Sequence, residues 1–314
     1  MRKIVAFLLS ILIALGTFAS VPCNVNAAEV SLPAQIYVGD DTLFNYNEQM
    51  WRTVGSGWSY NTKTNTLYLH GNINKQYAFN AGNQVLCAIR SDGDLNIVVD
   101  GPSLINLGNN GLVGISVAGN CNLTLKNKLT IKGGAGIVTD GKLTINGNSS
   151  GKLYIRPKGH LYGGITANAD LSIKNVNIDI NTPTLYAIHT NGGNIKIQNC
   201  TMKVTGYTGA IAAFYGNVTI SGKRNNITAK ASAKNAPAIA VILKSYTSYI
   251  GININSGSGR IVLKKTKISS PKNVKTKMKT FTKTYPIVNG SQSKIKVKMA
   301  TFNKKGICSK IVIK

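Results

Sequence analysis

The chain has 314 residues and a formal net charge of +27, and all ten of its carboxylates lie at or before Asp179. Residues 180–314 combine 23 of the 37 lysines and arginines with no acid, a field that attracts polyanions. The mature cysteines have no CxxC spacing and no nearby histidine, which argues against zinc, and we predict no metal or other cofactor. We interpret these cysteines as buried small hydrophobes, with disulfides as the alternative. They are Cys87, Cys121, Cys200 and Cys308.

The first 27 residues have the pattern of a secretory signal peptide. A charged start at Arg2 and Lys3 precedes an apolar run over residues 4–18, and small residues at 25–27 suit cleavage. The apolar run is too short for a comfortable transmembrane span. We therefore expect residues 1–27 to be removed and the mature protein to be extracellular, either secreted or associated non-covalently with the cell surface.

Residues 28–80 contain the segment GWSYNTKTNTLYLHGN, which starts at Gly57. Two aromatic residues, a polar turn and then Leu67 and Leu69 in alternation form the pattern of a β-hairpin. We expect an N-terminal hairpin cap over the first coil of the following domain, with Trp51 and Trp58 as packing residues. Such a cap would protect an open sheet end, which is otherwise a template for aggregation.

Residues 81–259 contain a repeated unit, in which an Ala-Ile or Gly-Ile pair, a polar turn and two further apolar alternations follow one another. The leading isoleucines of seven units are Ile89, Ile115, Ile137, Ile165, Ile188, Ile211 and Ile239. In three units the last alternation is Leu153 and Ile155, Val176 and Ile178, or Met202 and Val204. Spacings of 22 to 28 residues with three strand signals per unit predict an all-β fold.

The fold that this repeat predicts is a right-handed parallel β-helix solenoid, in which the isoleucines form stacked inward rows and coils lie about 4.8 Å apart. A leucine-rich-repeat solenoid has units of similar length and is the weaker alternative, because it needs a different leucine pattern and a helical return. Three places after the leading isoleucines lie Asp92, Ala118, Asp140, Asn168 and Asn191. We expect these turn residues to form a structural ladder.

The W-x-Y segment, its polar turn, the T-L-x-L-x-G run and the repeated G-I-x-x-x-G-x-L-x-I units resemble a known group of secreted proteins. These are parallel β-helix (pectate-lyase-like) repeat proteins of Gram-positive bacteria, often labelled carbohydrate-binding domain proteins. The resemblance covers residues 36–260. It implies a β-helix and carbohydrate binding, and no catalytic motif defines the group.

The aspartates do not form an obvious catalytic pair. Polysaccharide-degrading β-helices need clustered carboxylates, with a catalytic pair about 5 to 10 Å apart. Asp92 and Asp140 occupy equivalent turn positions two coils apart, roughly 10 Å, and Asp94 and Asp170 are three coils apart. His189 points opposite to Ile188 and is expected at the surface. A polysaccharide lyase or glycoside hydrolase therefore remains the alternative to a non-catalytic protein.

Two sets of residues are candidates for binding. Tyr162, Tyr186 and Tyr207 come from successive coils and are expected at one corner, where their rings could stack on pyranose faces in a glycan site. The alternative is that they only cover the core. In the lysine-rich C-terminal β region, residues 260–314, we expect a β cap or small module with a lysine-lined surface that binds an anionic wall polymer. Its candidate residues are Lys275, Lys277, Lys279, Lys294, Lys296 and Lys298.

These patterns predict a secreted or surface-associated, non-catalytic glycan-binding protein that is a monomer. Its expected partners are a polysaccharide or cell-wall glycan and an anionic wall polymer. A structural adhesin that binds protein is a further alternative, and solvated lysines that only protect sheet edges are the alternative for the C-terminal region. The chain has no recognisable nucleic-acid-binding motif, and its export signal argues against nucleic acid as a natural partner.

Overall fold

The computed structural model describes residues 31–45, 49–74, 77–81, 83–108, 113–157, 163–183, 185–244, 259–272, 274, 276–286, 292–302 and 307–314. The expected signal peptide, Tyr162 and Lys275 lie outside the described residues. Residues 32–314 belong to one compact unit.

The described secondary structure is all-β apart from one 3₁₀ turn at Thr62–Thr64. The strands are, in chain order, β1 (Ile36–Val38), β2 (Asp41–Thr42), β3 (Phe44–Asn45), β4 (Met50–Trp51), β5 (Val54–Gly55), β6 (Trp58–Asn61), β7 (Thr66–Leu69), β8 (Asn72–Ile73), β9 (Tyr77–Ala81), β10 (Asn83–Ser91), β11 (Leu95–Val99), β12 (Ser103–Asn106), β13 (Val113–Val117), β14 (Cys121–Leu125), β15 (Lys128–Gly133), β16 (Ala135–Thr139), β17 (Leu143–Gly147), β18 (Lys152–Pro157), β19 (Ile165–Ala167), β20 (Leu171–Lys174), β21 (Asn177–Asn181), β22 (Tyr186–Thr190), β23 (Ile195–Gln198), β24 (Thr201–Gly206), β25 (Gly209–Phe214), β26 (Val218–Ser221), β27 (Asn226–Ala231), β28 (Ile239–Lys244), β29 (Ile261–Lys264), β30 (Ile268–Ser270), β31 (Thr276–Pro286), β32 (Gln292–Phe302) and β33 (Lys310–Ile313).

Three sheets run the length of the repeat region, and each central strand pairs in parallel with its counterpart one coil later. The first sheet contains β10, β13, β16, β19, β22, β25 and β28, and the second contains β7, β11, β14, β17, β20, β23, β26 and β29. The third contains β8, β12, β15, β18, β21, β24 and β27. One strand from each sheet makes a coil, so about six coils run from β10 to β27. The predicted parallel β-solenoid is confirmed, and the leucine-rich-repeat alternative is wrong because the return segments are strands.

The leading isoleucines form one inward row of the core. The register of the first sheet pairs each of the seven with the next in the series, as the repeat alignment predicts. All seven are fully buried. Burial stabilises each by roughly 1.5–3 kcal/mol relative to an exposed side chain, so the row holds successive coils together.

The prediction for the third strand of the fourth coil is wrong by two residues. The ladder pairs Ile178 with Leu153 and Ile180 with Ile155, so the inward pair is Ile178 and Ile180. Val176 is also buried, but it precedes the strand at the corner of the coil. The polypeptide therefore has three apolar residues in phase at this point, and the neighbouring strands select two of them.

The predicted N-terminal hairpin is present. β6 pairs antiparallel with β7, and β7 then pairs in parallel with β11, which joins the hairpin to the second sheet. Trp58 is buried in the core, and the partly buried Trp51 packs against that core with its ring centroid 5.3 Å from that of Tyr60. Both tryptophans therefore pack as expected, and a protective capping role for the hairpin stays a prediction.

The C-terminal strands add antiparallel ladders to the last coils. β31 and β32 form a hairpin whose second strand pairs with β28, and β33 pairs with β27. β29 still pairs in parallel with β26, so the parallel stacking extends beyond the predicted boundary at residue 259. Protection of the solenoid end by these strands stays a prediction.

Candidate functional site

A ladder of carboxylate and amide side chains lies at the turn that follows the first sheet. Asn168 Nδ2 donates to Asp140 Oδ1 at 2.9 Å, and Asn191 Nδ2 donates to Asn168 Oδ1 at 2.7 Å. The predicted ladder is confirmed over these three coils. Asp92 instead pairs with Arg90 at 3.2 Å.

A second ladder, which was not predicted from the sequence, directly precedes the strands of the second sheet. The backbone N and Nδ2 of Asn194 donate to Asp170 Oδ1 at 2.7 and 3.1 Å, and Asn217 repeats both contacts on Asn194 Oδ1, each at 3.0 Å. Asn120 binds Asp94 Oδ1 in the same way three coils earlier, at 2.7 and 3.2 Å. In five of the six coils Asp or Asn stands just before the second strand, Lys142 being the exception, and this recurrence was the signal that could have revealed it.

These ladders engage the aspartates that were the main catalytic candidates. Asp94, Asp140 and Asp170 each accept hydrogen bonds from an asparagine one coil away, which is a structural role. Across the described parts of the chain, no group of three or more His, Cys, Asp or Glu residues could hold a metal ion. Asp179 is the carboxylate that lines an outer groove, where it pairs with Arg156 at 2.9 Å.

The two described tyrosines of the predicted glycan site differ in environment. Tyr207 lies in the turn between β24 and β25 and is 51% exposed. Tyr186 is half-buried in β22, and its ring centroid lies 5.8 Å from that of His189 and 5.7 Å from that of Phe214. Tyr186 therefore packs over the outer face of the first sheet, while Tyr207 has an exposed ring. Their part in glycan binding stays a prediction.

The expectation that His189 lies at the surface is wrong. It does point away from the core, on the row of Thr166 and Ala212, but it is only 9% exposed because the rings of Tyr186 and Phe214 pack beside it. Burial lowers its pKa to about 4. Among the described atoms, His189 Nδ1 has no hydrogen-bond partner, which fits a neutral imidazole.

Most of the predicted C-terminal lysines lie in one β-hairpin. Five of the six predicted residues lie in β31 and β32, whose register pairs Lys279 with Met299 and Lys298 with Thr280. Residues directly paired across an antiparallel ladder lie on the same face, and successive residues alternate. Positions 277 and 279 therefore belong to one face of the hairpin, and positions 294, 296 and 298 belong to the other. A lysine-lined surface in this region and its binding of an anionic polymer both stay predictions.

An open groove lies on the outer face of the third sheet and has a volume of about 410 Å³. It spans β18, β21, β24 and β27, one strand from each of four successive coils. The register places Tyr154, Asp179, Lys203 and Thr228 in one outward row across those coils. The rest of its lining includes Lys152, Asn177, Thr201 and Asn226. The groove thus combines an aromatic ring with many hydrogen-bonding groups.

The charged residues of the third sheet are almost all cations. Its strands carry six lysines, one arginine and one carboxylate, Asp179. All six lysines are exposed, and Arg156 is the cation that Asp179 binds. The cations are Lys128, Lys132, Lys152, Arg156, Lys203, Lys230 and Lys310. The sequence pattern did not reveal this set, because its lysines alternate with core residues in separate strands that meet only through the register of the third sheet.

Cys87, Cys121, Cys200 and Cys308 form no disulfide, and the first three are buried, which confirms their interpretation as small hydrophobes. Burial raises the pKa of Cys121 to about 12 and that of Cys87 to about 11, so both thiols are protonated at neutral pH. Cys308 is partly exposed.

The fold and these surfaces define a parallel β-solenoid protein with a polar, cation-rich outer face. Comparison of the chain with protein-family models, with curated proteins and with solved structures found no match. Over the residues that the structure describes, no helix has the length and apolar character needed to cross a membrane.

Proposed function

We propose that the protein is a secreted or surface-associated, non-catalytic glycan-binding solenoid. The groove on the outer face of the third sheet carries this proposal, because it places the Tyr154 ring among amide, hydroxyl and ammonium groups. A sugar presents an apolar ring face and many hydroxyls, so an aromatic surface beside hydrogen-bonding side chains suits it. The exposed ring of Tyr207 is a second candidate contact for the same ligand class.

The non-catalytic part of the proposal is supported by the two ladders. Asp94, Asp140 and Asp170 are held by asparagine donors at turns, and such contacts fix the backbone. A glycosidase needs a second carboxyl group at a defined distance across the substrate. In the groove, Asp179 is paired with Arg156, which suits a role in positioning side chains.

The test compares two outward tyrosines in the mature protein. Tyr154→Ala removes the ring in the groove, and Tyr68→Ala removes a half-buried outward ring from the second sheet as a matched control. Binding is measured by co-sedimentation with purified cell walls and with insoluble neutral polysaccharides. We expect Tyr154→Ala to weaken glycan binding about three- to tenfold, since a ring contact contributes about 0.5–1.5 kcal/mol, and Tyr68→Ala to leave it unchanged.

Two results would count against the groove. Equal weakening by both substitutions would indicate a general loss of stability. Loss of binding in Tyr207→Ala, with Tyr154→Ala unaffected, would move the site to the predicted tyrosine corner. Binding to no glycan at all would reject the proposed function.

A further inference from the structure

The outer face of the third sheet carries a strip of cations that runs along the solenoid axis, across the strands. The outward residues of this sheet form three rows along the axis. Tyr154 and Lys203 lie in the middle row, and the other lysines lie in the two rows beside it. From Lys128 to Lys310 the strip crosses five strand spacings, about 24 Å at about 4.8 Å each. The ligand that fits such a strip is a linear polyanion lying parallel to the axis.

The second sheet has a comparable outward surface but carries fewer cations than the third sheet. Its outward rows consist mainly of asparagine, threonine and serine, and its lysines are Lys174, Lys196 and Lys264. Two of these outward asparagines bond to each other across the coils, Asn122 Nδ2 to Asn96 Oδ1 at 3.0 Å. The third sheet is therefore more cationic than the second, and the lysines are not spread evenly over these two faces.

The type of cation on this face indicates which anionic group it would bind. Planar carboxylates are matched by the two-pronged guanidinium of arginine, whereas lysine acts as a point charge and is a common phosphate binder. The one arginine of this face is already bound to Asp179, at 2.9 Å. The remaining cations are lysines with exposed side chains. They suit single charges spaced along a chain, which is the pattern of a phosphodiester-linked polymer.

Stacked bases, by contrast, require several aromatic faces in succession. Binding of single-stranded nucleic acid depends on successive aromatic platforms in a basic groove. Within the strands of this sheet, Tyr154 is the single aromatic residue. The face therefore favours a polyol or sugar backbone over a nucleic acid.

We infer that the lysine strip of the third sheet binds a phosphodiester-linked polymer of polyol or sugar units, of the kind attached to cell walls. This inference rests on the proposed function and names the ligand class for the same face. It adds an anionic contact on the solenoid to the one predicted for the C-terminal region.

The experiment uses the mature protein and two variants that lose the same charge. Lys152→Gln, Lys203→Gln and Lys230→Gln together alter the strip, and Lys174→Gln, Lys196→Gln and Lys264→Gln together alter the second sheet. All six side chains are exposed, so both variants should fold. Co-sedimentation is measured over a range of salt with walls that carry their phosphodiester polymer and with the same walls after its chemical removal.

We expect the strip variant to bind intact walls about tenfold more weakly at low salt, and the second-sheet variant to bind within about threefold of wild type. The slope of log affinity against log salt should fall by about two for the strip variant, as three single-charge contacts are lost. Removal of the polymer should weaken wild type as much as the strip substitutions do.

Equal weakening by the two variants would overturn the inference, since charge alone would then explain binding. Tighter binding to a single-stranded oligonucleotide than to the wall polymer would overturn it in favour of a nucleic acid. Unchanged binding to stripped walls would also overturn it, while leaving glycan binding intact. Loss of binding to neutral glycans in Tyr154→Ala, tested separately, reports on the proposed function alone.

Discussion

His189 lies beside the rings of Tyr186 and Phe214, and burial lowers its pKa from an ordinary value of 6.5 to about 4. Because the folded pKa lies below the unfolded one, the unfolded chain binds the proton more readily between these values. The stability that comes from a neutral His189 is therefore complete above about pH 6.5 and is lost as the pH falls toward 4.

Substitution of His189 tests this pH dependence. As the pH falls from 7.5 to 5, the lowered pKa of His189 should reduce the free energy of unfolding of the wild type by about 2 kcal/mol. His189→Leu removes the titrating group and the unpartnered Nδ1, so it should show a flatter pH profile, measured by urea denaturation at each pH. A steep profile retained in His189→Leu would contradict this account.

A second prediction at the scale of single residues concerns the inward isoleucines. Ile188 is fully buried between Ile165 and Ile211 of the neighbouring coils. Ile188→Ala should lower the free energy of unfolding by about 2–5 kcal/mol, because it removes buried methyl groups and leaves a cavity. Lys196→Ala on the outer face should stay within about 0.5 kcal/mol of wild type. Similar denaturation midpoints for the two variants would argue against the assigned register.

At the scale of the secondary-structure element, the asparagine ladders hold successive turns in place. Asp170 Oδ1 accepts from both the backbone N and Nδ2 of Asn194. Asp170→Ala removes this acceptor and should cost about 1–2 kcal/mol, whereas Asp170→Asn keeps an acceptor oxygen and should cost less. Chemical denaturation of both variants provides the measurement. A larger loss of stability for Asp170→Asn than for Asp170→Ala would mean that Asp170 does not stabilise the protein by accepting the ladder hydrogen bonds.

The alternation of apolar residues was sufficient to predict the register of the first sheet, since a slip of one residue would expose every isoleucine. It was insufficient in the fourth coil, where Val176, Ile178 and Ile180 offer two in-phase pairs and the partner strands choose between them. It also gave the direction of His189 correctly but not its burial. Direction follows from period two, while the burial of His189 depends on two rings, Tyr186 of its own strand and Phe214 of the next coil.

The groove was not predicted for a related reason. Tyr154, Asp179 and Lys203 are about 25 residues apart in sequence and become neighbours only through the third-sheet register. Each occupies an outward position that appears in sequence as an ordinary solvated residue. The first ladder, by contrast, could be predicted, because Asp140, Asn168 and Asn191 stand at one offset from the leading isoleucines.

At the scale of the whole molecule, each coil contacts mainly its neighbours, so protection should vary along the axis. Amide hydrogen exchange should be slowest in the central coils, β16 to β22, where each strand is paired on both sides. It should be fastest in β3 and β4, which form a separate two-stranded sheet. Mass spectrometry of peptides after timed exchange provides the measurement. Faster exchange in the central coils than in β3 and β4 would contradict a continuous solenoid core.

The central claim is that this solenoid binds glycans without cleaving them. The most direct measurement incubates the mature protein with cell walls and with polysaccharides, and quantifies bound protein and released reducing ends in the same samples over time. The account predicts binding with no release above that of a heat-denatured control. Continuing release that Asp179→Asn, Asp140→Ala or Asp170→Ala abolishes would contradict it and would identify a polysaccharide-degrading enzyme.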